Sequence, residues 1–164
     1  MSGSKLTFQR VAQMIRPRAG NRLLFVYDEM MDPAVMAERV PDPEFVCTAR
    51  MESRRFIINA DGIASITPRR GFECHGVVWQ VEEIAVSCLD LLLGVPGPVE
   101  RFGGFSRNLA GTLIVSEFYM YRNRELGSAH PDYLADIVNA ARKHGLPDAY
   151  IREIERWDVD QQAA

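Results

Sequence analysis

The 164-residue sequence predicts an α+β fold, a small mixed β-barrel with peripheral helices. Three observations lead there. Leu23-Leu24-Phe25-Val26-Tyr27 is a continuous apolar run, the signature of a strand buried on both faces. About six strand-like segments in all lie between residues 23 and 121, and helices interrupt them without strict alternation. That order disfavours a doubly wound sheet and favours a barrel or curled sheet. The chain then ends in two segments with helical periodicity.

The elements follow in order. Phe8, Val11, Ala12 and Ile15 fall at i, i+3, i+4 and i+7, so a short amphipathic helix is expected over residues 5–15. Pro17 disfavours helix at Arg16 and ends it. Residues 1–21 are therefore an N-terminal extension, residues 22–157 the domain and residues 158–164 a tail. After the first strand, Asp32 is a good N-cap and Pro33 a good first residue for a helix to Val40. Phe45 to Met51, Arg54 to Asn59, Ile63 to Thr67 and Glu73 to Gln80 read as strands, with turns at Asp61-Gly62 and Pro68 to Gly71. Val81 to Leu93 reads as a helix whose stripe is Ile84, Cys88 and Leu91 or Leu92, closed by Gly94. Pro96 to Gly104 reads as a long loop, and Phe105 to Tyr121 as strands broken near Ala110-Gly111. Leu134, Ile137, Val138 and Ala141 mark a helix from Pro131 to His144, and Leu146-Pro147 begins the last one.

Composition narrows the function classes. Lys and Arg number 19 against 22 Asp and Glu, so no global basic field exists to hold nucleic acid. No apolar run approaches the roughly 20 residues that span a bilayer. Met1 to Gln13 lacks the apolar stretch of a signal peptide, so a cytoplasmic protein is expected. Cys47, Cys74 and Cys88 form no Cys-x-x-Cys pair and read as buried reduced thiols. His75, His130 and His144 lack metal-ligand spacing, so no metal and no cofactor is expected. Met14, Met30, Met31 and Met36 are candidates for an adaptable contact surface, which leaves a homo-oligomer open.

Three stretches carry a resemblance. The first is Leu24-Phe25-Val26-Tyr27 followed by Met31-Asp32-Pro33. The second is Gly76-Val77-Val78-Trp79 followed by Leu89-Asp90 and Gly94. The third is Phe118-Tyr119-Met120-Tyr121 with Pro131-Asp132-Tyr133-Leu134 and Gly145-Leu146-Pro147. In this order and spacing they resemble the γ-glutamylcyclotransferase-like superfamily, which includes γ-glutamylamine cyclotransferases and the avirulence-induced plant proteins. The resemblance covers residues 22–157 and implies a barrel with a cavity at one end. In active members the substrate's α-amine attacks its own γ-carbonyl, giving 5-oxoproline and a free amine. A carboxylate must take the ammonium proton, and backbone N–H groups must meet the oxyanion. The family supplies these with a Tyr-Gly-Ser/Thr loop after the first strand and a Leu-Asp-x-x-Glu-Gly helix end.

This chain departs from the family at both places. Asp28 and Glu29 follow Tyr27 where glycine and a small hydroxyl belong. Leu89-Asp90-Leu91-Leu92-Leu93-Gly94 keeps the frame with Leu93 in place of the general base. A catalytic base contributes about 10²–10⁴-fold, and leucine moves no proton. Two carboxylates beside an anion cradle repel a substrate carboxylate; like charges 4 Å apart cost about 4 kcal/mol at an effective dielectric near 20. The expectation is a divergent member without cyclotransferase activity, kept as a binding or protein-interaction module. The alternative is an enzyme of changed specificity with Asp28 or Glu29 as relocated base. Candidate ligand-binding residues are Tyr27, Asp28, Glu29, Met30, Leu93 and Arg107. Phe105-Ser106-Arg107 resembles a family Tyr-x-Arg stretch that has lost its phenol. Glu73 and His75 share a strand face and form a candidate polar pair. Arg50, Arg54, Arg55 and Arg69-Arg70 read as a charged strand edge.

Overall fold

The computed structural model describes residues 13–158. Five strands close a barrel in the order β1-β3-β2-β4-β5. They are β1 (Asn21–Val26), β2 (Glu44–Ile58), β3 (Ala64–Glu82), β4 (Val99–Arg107) and β5 (Leu113–Tyr121). The helices are α1 (Pro33–Arg39), α2 (Glu83–Leu93), α3 (Pro131–Lys143) and α4 (Asp148–Glu155), and a 3-10 turn spans Glu29–Met31. The expected barrel and four of the expected helices are present. Most of the expected N-terminal helix lies outside the described residues, but its last residue does not join a helix: Ile15 forms a parallel bridge to Ile114 of β5.

Strand β1 is buried from Leu23 to Val26, as its unbroken apolar run requires. It pairs antiparallel with β3 and lies parallel to β5, where Leu24 faces Glu117. Gly76 of β3 lies directly against it. A Cβ there would sit 2.2 Å from the Val26 carbonyl oxygen and 2.9 Å from the Phe25 ring, so only glycine fits.

The barrel has five strands because two expected breaks are absorbed within strands. Glu52 pairs with Glu73 and Arg54 with Pro68, leaving Ser53 opposite Arg69 to Phe72. Ser53 adopts φ 56° and Gly71 φ 86°. This bulge bends β2 and β3 without ending either, so the expected Pro68 to Gly71 turn is a kink in one long hairpin. The Asp61-Gly62 turn is present, with the Asn59 side chain accepting from the Asp61 and Ile63 N–H groups. Strand β4 begins at Val99, six residues earlier than expected, and takes in Gly103 and Gly104. A Cβ at Gly104 would lie 2.8 Å from the Phe118 ring, so glycine marks close packing there rather than a loop.

Other expectations fail for a common reason: periodicity cannot choose among several apolar faces. Helix α2 buries Ala85, Val86 and Leu89. Ile84 (64%), Leu91 (82%), Leu92 (64%) and Cys88 stand exposed instead of forming the core stripe. Polar contacts set its rotation. Asp90 accepts from the Tyr119 hydroxyl (2.9 Å) and from Arg101 Nε (3.0 Å), which turns Leu89 inward. Met30, Met31 and Met36 are core residues and form no contact surface. Of the cysteines, Cys74 is buried, Cys47 is half-buried, and Cys88 is solvent-exposed, against expectation.

The close approach at Gly76 yields a sharp expectation. Gly76→Ala should destabilise the fold by about 1–3 kcal/mol, because the methyl meets backbone rather than a flexible side chain. Thermal unfolding followed by circular dichroism should show Tm lowered by roughly 3–10 °C; an unchanged Tm would contradict this packing.

Candidate functional site

The segment after β1 is pinned from three sides. Trp79 of β3 donates its indole N–H to the Met30 carbonyl (3.1 Å), and His144 Nε2 lies 2.7 Å from the Met31 carbonyl. Lys143 pairs with Asp32 at 2.9 Å. The Asp28 side chain caps the 3-10 turn by accepting from the Met30 N–H (3.0 Å). The next donors are also taken: Met31 N–H by the Asp28 carbonyl, Asp32 N–H by the Glu29 carbonyl, and Ala34 N–H by the Asp32 carboxylate. From Met30 to Asp32, and at Ala34, the loop therefore directs its backbone donors into its own turn and helix cap.

Tyr27, Asp28, Met30 and Leu93 meet around one void, with Phe25, Val26, Tyr119 and Tyr121 completing its wall. The void measures about 10 Å³. A cavity needs about 10–15 Å³ to hold a single water. Tyr27 donates to the Tyr119 carbonyl (2.5 Å), and the Tyr119 hydroxyl turns to Asp90. Both phenols are thus engaged within the fold.

The two candidate carboxylates separate. Asp28 faces this void, and its pKa is pushed up to about 7 by burial and then by the Glu29 charge, with the Met30 N–H and Arg39 pulling the other way. Glu29 pairs with Arg39 of α1 at 2.9 Å, and its Oε2 is buried without a partner. Burial, with the Asp28 and Glu29 charges, drives the Tyr121 phenol up to about 12. Sequence reasoning missed Tyr119 and Tyr121 as wall residues and Arg39 as the Glu29 partner. The order Tyr-x-Tyr at the end of β5 was their one visible signal.

Arg107 does not join this group. It lies on β4 beside Glu52 (3.5 Å) and donates to the Gly111 carbonyl (3.0 Å). Glu73 and His75 do approach each other, at 3.6 Å, and burial lowers the His75 pKa. The arginine run is not simply solvated: Arg55 stacks on Phe72 and Trp157, and Arg69 on Phe72. Among the described residues no cluster of three or more His, Cys, Asp or Glu is placed to hold a metal, and no helix is long and apolar enough to cross a membrane.

No family model matches the chain. It is 25% identical over 150 residues to a Mus musculus protein named Gamma-glutamylcyclotransferase, covering 85% of this chain and 80% of the mouse protein. A solved structure titled Gamma-glutamyl cyclotransferase superposes with a TM-score of 0.78 at 25% identity, covering 84% of this chain and 88% of that one. A Homo sapiens crystal structure described as an uncharacterized protein gives 0.79 at 25% identity, covering 85% and 89%.

Asp28 makes stability depend on pH. Its folded pKa lies above the unfolded value of 3.8, so the folded state holds the proton more tightly. The stabilisation is present below about pH 4 and is lost as pH rises through about 7. Asparagine caps a turn as well as aspartate does and carries no charge. Asp28→Asn should therefore match the wild type near pH 4 and exceed it at pH 8. Asp28 is only half-buried and solvent screens part of the effect, so about 1–2 kcal/mol is expected, or roughly 3–6 °C in Tm. A Tm difference independent of pH would refute the assignment.

Proposed function

The chain belongs to the γ-glutamylcyclotransferase-like superfamily, and we propose that its inherited site no longer performs cyclotransfer and that the barrel serves as a binding or protein-interaction module. One observation carries this reading: the void bounded by Leu93 and Asp28 has room for about one water and none for a γ-glutamyl compound. The chemistry points the same way. Cyclisation needs a base beside the amine and donors at the oxyanion. Leu93 supplies no base, and the Met30, Met31 and Asp32 N–H groups are committed inside the loop. The Asp28 carboxyl, once ionised above about pH 7, adds repulsion towards a substrate carboxylate, while Arg39 offsets the Glu29 charge.

A second reading, an enzyme of changed specificity, has one observation in its favour. Asp28 shares the void with Leu93, and a carboxyl group with a pKa of about 7 suits a general base at neutral pH. In that reading the ionised Asp28 takes a proton from the substrate amine, so activity rises as pH passes through 7. Glu29 is the weaker candidate, since Arg39 holds it in an ion pair.

One assay separates the two. The chain is incubated with a γ-glutamyl dipeptide between pH 6 and 9, and 5-oxoproline is measured against a protein-free blank. No release above the blank is expected. Release that climbs through pH 7 and disappears in Asp28→Asn would replace the first reading with the second.

A further inference from the structure

A separate cleft lies where the barrel is least continuous. Strands β2 and β4 share a single registered pair, Arg50 opposite Arg107, and diverge beyond it. The Ser53 bulge follows immediately on β2. The resulting cleft measures about 480 Å³ and shares no wall residue with the void at Leu93. That volume suits a small molecule. Its walls include Arg50, Arg54, Arg107, Ser106, Phe105 and Met51.

Its inner polar groups lack partners. Arg54 lies over the Phe118 ring, 5.9 Å from the centroid, and its Nε is buried with no hydrogen-bond partner. Ser106 is 2% exposed and its hydroxyl is unpartnered. Ser116, 3% exposed, also has an unpartnered hydroxyl. Ser106 pairs with Ile114 and Gly104 with Ser116, so both hydroxyls share one face of the β4–β5 ladder with Phe118. Buried polar groups are ordinarily paired, and two such orphans, Arg54 Nε and the Ser106 hydroxyl, line the cleft as an unfilled hydrogen-bonding set, with Ser116 behind them on the same ladder face.

The charges fix the ligand's sign. Arg50 and Arg107 flank the cleft: Arg50 is loosely held, 3.8 Å from Glu73 and 3.4 Å from the Asn108 carbonyl, while Arg107 donates to the Gly111 carbonyl at 3.0 Å and lies 3.5 Å from Glu52. Glu52 opposes them, but its side chain is mostly exposed at the rim and is free to swing out. Three guanidiniums still exceed two carboxylates, Glu52 at the rim and Glu73 beside Arg50, and guanidinium forks suit carboxylate or phosphate.

We propose that the cleft between β2 and β4 binds a small organic anion, a carboxylate or phosphate on an apolar body. Arg54 Nε and the Ser106 hydroxyl hold the head group, Arg50 and Arg107 add charge, and Phe105 and Met51 cover the apolar part. Phenyl phosphate and benzoate serve as probes, titrated into the full chain at low ionic strength by calorimetry. At least one should bind saturably at one site. Ser106→Ala and Arg54→Met should each weaken that binding about tenfold, and Arg124→Met, an exposed change outside the cleft, should not. Ser106→Ala should also leave the unliganded Tm unchanged or raised, because it removes an unpaired hydroxyl. Absence of saturable binding by both probes, undiminished binding in Ser106→Ala and Arg54→Met, or equal weakening in Arg124→Met would each overturn the proposal.

Discussion

Closure of the barrel between β1 and β5 is the constraint on which the site depends. These strands are about ninety residues apart, run parallel and meet at Leu24 and Glu117. The buried Tyr27 hydroxyl reinforces the seam by donating to the Tyr119 carbonyl, and Arg22 adds a contact to Glu117 at 3.4 Å. Glu117 also pairs with Arg101, which in turn holds Asp90 of α2. One polar chain thus links β1, β5, β4 and α2. It fixes where α2 ends and hence where Leu93 sits relative to Asp28.

The same constraint brings the loop after β1 and the end of α2 together in space. Asp28 and Leu93 are 65 positions apart, yet they border one void. The half-buried Asp28 carboxyl thus sits beside an apolar side chain and loses part of its hydration. Burial then raises the carboxyl pKa, because the charged form loses hydration. The loop uses its own acid, Asp28, as the cap of the 3-10 turn. Its external anchors, Trp79 and His144, act on carbonyls and leave this arrangement undisturbed.

Irregularity in this protein is concentrated at the opposite seam. The pairing of β2 with β4 is minimal, and the Ser53 bulge carries a non-glycine residue in left-handed backbone. Such strain persists where surrounding structure holds it. Here the ladder on both sides of Ser53 is long and registered, which supplies that hold.

What the sequence by itself determined was local. The run Leu23 to Tyr27 declared a buried strand, Asp32-Pro33 a helix start, and the stripe of Leu134, Ile137, Val138 and Ala141 a helix face, because each signal lies within one element. The juxtaposition of Tyr27, Asp28, Met30 and Leu93 was also legible, through the frame shared with a known superfamily. Three things were decided only by tertiary structure. The exposed face of α2 followed from the Asp90 contacts, since more than one side of that helix carries apolar residues. The continuity of β2 and β3 through Pro68 to Gly71 came from a partner strand that tolerates a bulge. Arg107 was moved from one candidate site to another by barrel closure, and its neighbours come from a strand more than fifty residues away. Local patterns set which elements form; only the folded barrel sets which surfaces they present to one another.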